Sequence, residues 1–130
     1  MSALSSRGNR SRVGAHPANP VGNGGYGARN VQLDGIARLA ARSPTPLVVA
    51  GDLNVSVWSH HYRRLVEESG LRNARRGFGA EPTWPVFFMP AMIPIDHFLV
   101  SENIEVTSYR TGPDIGSDHL PIAVTLKITQ

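Results

Sequence analysis

The chain contains no cysteine among its 130 residues. This absence excludes disulfides, thiolate zinc sites, iron–sulfur clusters and cysteine nucleophiles. The sequence also lacks an apolar run near the roughly 20 residues that cross a bilayer, and its first ten residues lack the apolar core of a secretory signal. Because 41% of the residues are hydrophobic, a packed core is expected. We therefore expect one soluble domain, located in the cytoplasm by default.

Acidic residues are scarce at the front of the chain. Residues 1–42 hold six arginines against the single acid Asp34, whereas residues 43–130 hold seven basic and nine acidic side chains. Such a basic segment fits either an arm that binds phosphate groups or a solvated terminus. No aromatic residue is interleaved with the first arginines, as single-stranded nucleic acid binding would require. We therefore predict a disordered basic segment over residues 1–11 and a domain over residues 12–130.

The hydrophobic pattern predicts two helices and four strands. In the first helix, apolar residues recur at helical spacing, and in the second Ser59 and Gly70 fit the two capping positions. A short apolar run between the helices is typical of a buried strand in a parallel sheet. The predicted elements are helices Arg29–Arg42 and Ser59–Ser69 and strands Leu47–Ala50, Ile95–Val100, Ile104–Tyr109 and Leu120–Ile128. Residues 72–94 are predicted to be irregular, and the fold class is α/β.

Polar side chains stand at the ends of three of these strands. Asp52 and Asn54 follow the first strand, Asp96 begins the second, and Asp118 and His119 precede the last. Ligands bind at the carboxyl ends of strands in open α/β sheets. Each aspartate alone is best explained as a turn residue. Together they form the set of oxygen and imidazole groups that a hard metal and an activated water require.

Four short segments in this order resemble the landmarks of a known superfamily. They are GDLN at 51–54, TWP at 83–85, IDHFLVS at 95–101 and GSDHLP at 116–121. The ordered set resembles the endonuclease/exonuclease/phosphatase superfamily, which includes DNase I, exonuclease III and the inositol-polyphosphate phosphatases. The segment 113–119 is most similar to an uncharacterised bacterial branch. The resemblance implies hydrolysis of phosphate esters, with nucleic acid as one candidate substrate.

The resemblance also implies roles for individual residues. Asp52 matches the aspartate that orients or deprotonates the attacking water, and Asn54 matches the asparagine that holds the scissile phosphate. His119 matches the catalytic histidine and Asp96 its carboxylate partner. An adjacent carboxylate would raise the pKa of His119, so that an imidazolium can stabilise charge on the phosphoryl oxygens.

The same resemblance implies a divalent metal, Mg²⁺ or Mn²⁺. Asp118 matches an acid that helps to bind this metal, and Asp52 is a second candidate ligand. Mg²⁺ would neutralise the phosphate and help to present the water. His16 matches, less specifically, a second histidine that contacts the phosphate or the leaving group in several members.

The chain has about half the length typical of the superfamily. Members fold as a four-layer α/β/β/α sandwich, and the matched motifs belong to its C-terminal half. The other half normally supplies an early asparagine and a glutamate that binds Mg²⁺, but the first glutamate here is Glu67. We therefore expect a truncated domain with one mixed sheet, helices on one face and an apolar face uncovered, through which the chain could form a homodimer. The alternative is a catalytically inactive remnant that acts as a binding module.

Several other residues are interpreted as structural. Residues 22–27 have the spacing G-x-G-x-x-G, but prolines precede them instead of a strand, so a dinucleotide site is not predicted. His97 and Trp84 are expected in the core. The adjacent histidines at 60–61 and the adjacent arginines at 75–76 are expected to be solvated. The two arginines fall in a loop that can border the site.

Overall fold

The computed structural model describes residues 2–6, 10–14, 25–43 and 46–129. The helices and strands are β1 (Ser2–Ser6), β2 (Arg10–Gly14), α1 (Gly25–Arg42), β3 (Leu47–Asp52), α2 (His60–Ser69), β4 (Arg72–Asn73), β5 (Asp96–Val100), β6 (Ile104–Thr111) and β7 (Ile122–Ile128). A 3₁₀ helix spans Val86–Ala91. Within the described segments, neither helix combines the length and apolar composition that crossing a bilayer requires.

Five strands form a mixed sheet in the order β1-β2-β3-β5-β4. Strand β3 pairs in parallel with β2 and antiparallel with β5, and β6 and β7 form a separate antiparallel pair. The prediction of an α/β fold with a mixed sheet is confirmed. The sequence predicts that β3 lies in a parallel sheet, but only its neighbour β2 runs parallel to it.

The main core lies between the two helices and one face of the sheet. Alternate residues of β3 and β5 point toward the helices, as strand geometry requires. The buried cluster contains Leu33, Ile36, Leu47, Val49, Leu65 and Leu99. Both helices therefore cover the same face of the sheet, as the sequence predicts.

The opposite face of the sheet packs against β6 and β7. Val100, Ile104 and Tyr109 are buried in this second cluster. Other apolar members are only partly buried: Val48, Phe78, Phe98, Val106, Ile122, Val124 and Leu126. In the described part of the chain, this side of the sheet therefore keeps accessible apolar surface.

The structure differs from the sequence prediction at the front of the chain. Disorder is predicted over residues 1–11, yet β1 and β2 lie within residues 2–14. Neither segment shows a clear alternation of polar and apolar residues, so local pattern does not indicate a strand. Strand β2 pairs with the edge of β3, and β1 pairs with β2. Backbone pairing with an existing sheet edge accounts for these strands.

The structure also differs from the prediction at the start of α1 and in the connection between α2 and β5. Helix α1 begins at Gly25, four residues before the predicted start, because the low helix propensity of Gly25 and Gly27 conceals its first turn. The stretch predicted as irregular contains the short strand β4, which pairs with β5, and the 3₁₀ helix. Both are too short to produce a periodic sequence pattern.

Candidate active site

The register of the central sheet brings two carboxylates together. Asp52 is the last residue of β3, Asp96 is the first of β5, and the two are direct partners across the antiparallel pair. Side chains of directly opposed residues lie on the same face about 4.5–5.5 Å apart at Cβ. Two like charges in this arrangement repel each other. A cationic group between them would remove this cost.

His119 occupies that position. Its Nδ1 lies 2.8 Å from Oδ2 of Asp96, and its Nε2 lies 3.9 Å from Oδ2 of Asp52. One ligand atom from each of the three residues lies within 4.8 Å of the others. The strand pairing therefore sets the positions of the carboxylates, and the imidazole faces both of them.

Backbone hydrogen bonds hold the histidine loop against the segment that contains Thr83 and Trp84. The amide of Leu120 donates to the carbonyl of Thr83 at 2.9 Å, and the amide of Val86 donates to the carbonyl of Asp118 at 3.0 Å. Thr83 is fully buried. These bonds lie on both sides of His119 along the chain, so they hold the backbone at this residue in place.

The electrostatics of the site favour a charged imidazole. Partial burial by itself would lower the pKa of His119. The hydrogen bond to Asp96 and the charges of Asp96, Asp52 and Asp118 outweigh this effect and raise the pKa above its ordinary value. The site therefore favours the charged form of His119 to a higher pH than an unperturbed histidine would keep it.

Asn54 is held in a left-handed backbone conformation, with φ of 50°. Its amide donates to Oδ1 of Asp52 at 2.8 Å, so the turn after β3 also orients the carboxylate. From α1, Nη1 of Arg29 donates to the carbonyl of Asn54 at 3.0 Å. Arg29 is buried and was not singled out from the sequence. The available signal is its position four residues before Leu33, on the inner stripe of α1.

Trp84 does not lie in the core, contrary to the prediction. Its side chain is half-buried, and its Nε1 lies 3.4 Å from Oδ2 of Asp118. The ring centroid lies 6.3 Å from that of His119. The indole N–H requires a polar partner, and it reaches one at the edge of the site.

His97 lies in the core, as predicted. It is buried, and its Nε2 lies 2.6 Å from the carbonyl of Val55, to which it donates. Its ring also packs on Tyr62, with centroids 4.7 Å apart. Burial is the main cause that lowers the pKa of His97 to about 4, although the bond to Val55 opposes the change. The neutral imidazole thus holds the loop that follows Asn54 through its hydrogen bond to the carbonyl of Val55.

The ligand atoms of Asp52, Asp96 and His119 are close enough together to hold a divalent cation, with His119 as a ligand only when its imidazole is neutral. Carboxylate oxygens suit hard cations such as Mg²⁺ and Mn²⁺, whereas imidazole is a better ligand for Zn²⁺. Asp118, the other metal ligand expected from the sequence, is exposed and is not part of this group. His16 lies outside the described residues.

A cleft of about 300 Å³ opens beside the histidine. Its lining includes Asp96, His119, Ile115 and Phe98. A substrate group in this cleft would contact both the imidazole and apolar side chains. Arg75 and Arg76 do not border it, because they line a different cleft beside Tyr62.

The two adjacent histidines of α2 have different environments. His60 is exposed, as expected. His61 is partly buried, and its Nε2 lies 3.1 Å from Nδ2 of Asn30. This contact joins the two helices, so His61 serves in packing.

Comparison with known proteins identifies the fold and the family. The model of the Endonuclease/Exonuclease/phosphatase family matches residues 5–119, whereas a search of curated proteins finds no match. An endonuclease/exonuclease/phosphatase from Beutenbergia cavernae DSM 12333 superposes with a TM-score of 0.75 at 20% identity, covering 92% of this chain and 36% of that chain.

Two further solved structures share the fold. The mannosyl-6-phosphatase Bt3783 of Bacteroides thetaiotaomicron VPI-5482 has a TM-score of 0.64 and 19% identity, covering 92% of this chain and 51% of that chain. The human Nocturnin catalytic domain has a TM-score of 0.60 and 19% identity, covering 92% of this chain and 46% of that chain. This chain thus spans about half, or less, of the structures that it matches. Because the family model covers most of the sequence, the chain belongs to the endonuclease/exonuclease/phosphatase family.

Proposed function

We propose that this chain carries the metal-dependent phosphoesterase site of its family and hydrolyses phosphate esters. The observation that carries the proposal is the grouping of Asp52, Asp96 and His119 within 4.8 Å at the edge of a cleft of about 300 Å³. Three separate segments contribute these residues, so the group is a product of the fold and not of one motif. Asp52 can accept a proton and a protonated His119 can stabilise negative charge, and phosphoryl transfer to water requires both functions.

Asp52 is the proposed base. In the reaction, the water oxygen forms a new bond to phosphorus, the bond from phosphorus to the ester oxygen breaks, and the departing oxygen takes up a proton from solvent water to leave as the alcohol. A water proton passes to a carboxylate oxygen of Asp52, whose orientation is set by the amide of Asn54. Asn54 is proposed to hold the scissile phosphate through its side chain.

His119 is proposed to act as an imidazolium. The negative charge on the phosphoryl oxygens requires preorganised positive groups, and such groups are worth most in a partly desolvated site. Asp96 fixes the imidazole through Nδ1, which leaves Nε2 to face Asp52 and the substrate. The raised pKa keeps the imidazole protonated up to a higher pH than in an unperturbed histidine.

The carboxylates of Asp52 and Asp96 would hold the divalent ion, with Asp118 as an additional acid from the neighbouring loop. When bound, Mg²⁺ or Mn²⁺ supplies positive charge that neutralises the phosphate and lowers the pKa of water. One or two protein carboxylates plus waters are a common ligand set for Mg²⁺.

The test is hydrolysis of a chromogenic phosphodiester and a chromogenic phosphomonoester by the purified chain with Mg²⁺ or Mn²⁺. We expect turnover that EDTA removes and that His119→Ala lowers by about 10²–10³-fold. His60→Ala is the matched control, because His60 is exposed on α2. Equal activity in His119→Ala and the unmodified chain would contradict the proposed site.

Absence of turnover under all of these conditions would favour the other candidate, a catalytically inactive binding module. One observation favours this second function: apolar side chains such as Phe98 and Leu126 remain partly accessible on the sheet face away from the helices. We propose that this face forms a homodimer, because accessible apolar surface of this kind drives association. Phe98 of this face also lines the cleft beside His119, so the dimer is tested by the oligomeric state and the site by turnover.

A further inference from the structure

Large apolar side chains are exposed on the loop beside the candidate site. In the 3₁₀ segment, Phe87 is 79%, Phe88 57% and Met89 74% exposed. Pro85 and Pro90 flank these residues, and proline restricts backbone freedom on both sides. Three consecutive large apolar residues at a constrained tip are costly to leave in water.

This tip is attached directly to the histidine loop. Val86, the residue before Phe87, donates its amide to the carbonyl of Asp118 at 3.0 Å. Because consecutive Cα atoms are about 3.8 Å apart, Phe87 and Phe88 begin within roughly 8 Å of that contact. Trp84 borders His119 from the same segment, with ring centroids 6.3 Å apart. The exposed tip is therefore part of the rim of the site.

A second loop adds to the apolar rim. Ile115 is exposed and also lines the cleft that contains Asp96 and His119. The loop that carries it leads directly to His119. Two separate chain segments thus place apolar side chains beside a cluster of polar catalytic groups.

Apart from His119, the described segments of this rim carry no positively charged side chain. The segments 53–58, 84–95 and 113–119 contain no lysine and no arginine. Proteins that bind nucleic acid rely on lysine and arginine to contact successive phosphates. A polynucleotide is therefore a poor match for this rim, whereas a single phosphate group joined to an apolar body is a good one.

We propose that the tip Phe87–Met89, with Ile115, inserts into a lipid surface and that the site acts on phosphate esters of membrane lipids. This inference rests on the proposed phosphoesterase function. The phosphate would enter the polar group formed by Asp52, Asp96 and His119, while the acyl region would contact the apolar rim. Aromatic side chains are favoured at membrane interfaces, and attachment there strengthens with the apolar area that is buried.

A protein partner fits this tip less well. An aromatic side chain buries about 150–250 Å², so Phe87 and Phe88 together supply about 300–500 Å² of the roughly 800 Å² per partner in a stable interface. The proposed dimer uses a different surface, which includes Val124 and Leu126. A lipid surface requires no complementary pocket and is the occupant that matches the tip.

The experiment measures binding of the purified chain to vesicles of phosphatidylcholine containing phosphatidic acid. We expect the double variant Phe87→Gln/Phe88→Gln to bind at least about tenfold more weakly, because two apolar side chains lose their burial. Val31→Gln is the matched control: Val31 is 67% exposed on α1, which covers the opposite face of the sheet, and should bind like the unmodified chain. Binding should persist in about 1 M NaCl, where the Debye length is about 3 Å.

Hydrolysis of a soluble chromogenic phosphoester by the same variants separates the two proposals. Unchanged soluble turnover with lost vesicle binding in the double variant supports the lipid inference. Soluble turnover without vesicle binding by the unmodified chain overturns it and leaves the phosphoesterase proposal intact. Binding that salt abolishes is electrostatic, so it assigns attachment to the basic residues 7–12 and overturns the lipid inference. Binding that the double variant retains also overturns the inference, because the tip is then not required. Vesicle binding without any turnover supports the membrane contact and contradicts the catalytic proposal. Loss of self-association in the double variant, without vesicle binding, would assign the tip to a second copy of the chain.

Discussion

At the scale of single residues, the site contains two carboxylates that repel each other and one imidazole that can offset the repulsion. Asp52 and Asp96 face each other across β3 and β5, an arrangement that is unfavourable for two anions alone. His119 relieves the repulsion when it is protonated. The same interaction that stabilises this arrangement therefore sets the protonation state of the residue proposed to stabilise the phosphate.

The variant Asp96→Asn tests this coupling. Without the carboxylate, the hydrogen bond and the largest favourable charge at Nδ1 are lost, so the pKa of His119 should fall. NMR titration of the imidazole should show this decrease in the variant and no change in Asp34→Asn, which removes a carboxylate from α1. In activity, the loss of rate at alkaline pH should move to lower pH, since the imidazolium form is lost earlier. An unchanged titration of His119 would contradict the assigned partner.

His97 has a lowered pKa, in contrast to His119, and this predicts how the stability of the chain changes with pH. Its pKa in the folded chain is about 4, below the ordinary value of about 6.5, so the unfolded chain takes up this proton first as pH falls. The stability that His97 contributes is therefore present above about pH 6.5 and is lost as the pH falls toward 4. At 1.36 kcal/mol per pKa unit, its contribution to the free energy of unfolding should fall by about 2 kcal/mol between pH 7 and pH 5.

The variant His97→Gln isolates this effect because an amide N–H can still donate to the carbonyl of Val55. Urea unfolding at pH 7 and pH 5 should show a smaller acid-induced loss of stability in the variant than in the unmodified chain. Both proteins contain His119, so its contribution to the pH dependence of stability cancels in the comparison. That contribution has the opposite sign to that of His97, because the pKa of His119 is raised. Identical pH dependence in both proteins would mean that His97 is not held neutral by burial.

The residues that could be predicted from sequence are those whose position follows from strand ends and from the family motifs. Asp52, Asn54, Asp96 and His119 belong to this set, and the structure brings three of their side chains together around one point. Trp84 could not be placed in this way, because a lone tryptophan is usually buried. Arg29 acts across 25 residues of sequence on the carbonyl of Asn54, and such a contact requires the fold.

At the scale of elements, the ends of the helices show how well local signals predict structure. Ser59 accepts a hydrogen bond from the amide of His61 at the start of α2, and Gly70 ends the helix in the left-handed conformation with φ of 69°. Both caps follow from residue type and position alone. The strands β1 and β2 carry no comparable local signal, because their pairing partner is supplied by the rest of the fold.

Two glycine substitutions test this distinction with the same change of side chain. Gly70→Ala should destabilise the chain by about 1 kcal/mol, because alanine resists the left-handed conformation at the cap. Gly35→Ala, within α1, should stabilise it by about 0.5–1 kcal/mol, because alanine favours the helix. An added Cβ meets nothing within 4 Å at either position, so packing does not obscure the comparison. Urea unfolding that gave the same sign for both variants would contradict the assigned backbone conformations.

At the scale of the whole molecule, the two faces of the central sheet are unequal. One face is covered by both helices, and its cluster includes fully buried residues such as Leu99. The other face packs on β6 and β7 but keeps Phe98, Val124 and Leu126 partly accessible. This inequality could be expected from a chain that matches about half, or less, of each solved relative, although the sequence alone does not show which residues remain accessible.

The accessible face predicts association between copies of the chain. Sedimentation velocity should show a dimer that becomes more populated as the protein concentration rises, since burial of apolar surface drives association. Leu126→Lys should shift the chain toward monomer, because an ammonium group is costly to desolvate at the interface. Thr125→Lys, one residue away on the exposed side of β7, adds the same charge and should leave the dimer intact. Cooperative urea unfolding of both variants would show that they fold. A monomer at every concentration in the unmodified chain would contradict the dimer, and so would equal effects of the two lysines, since only one lies on the face that is proposed to be buried.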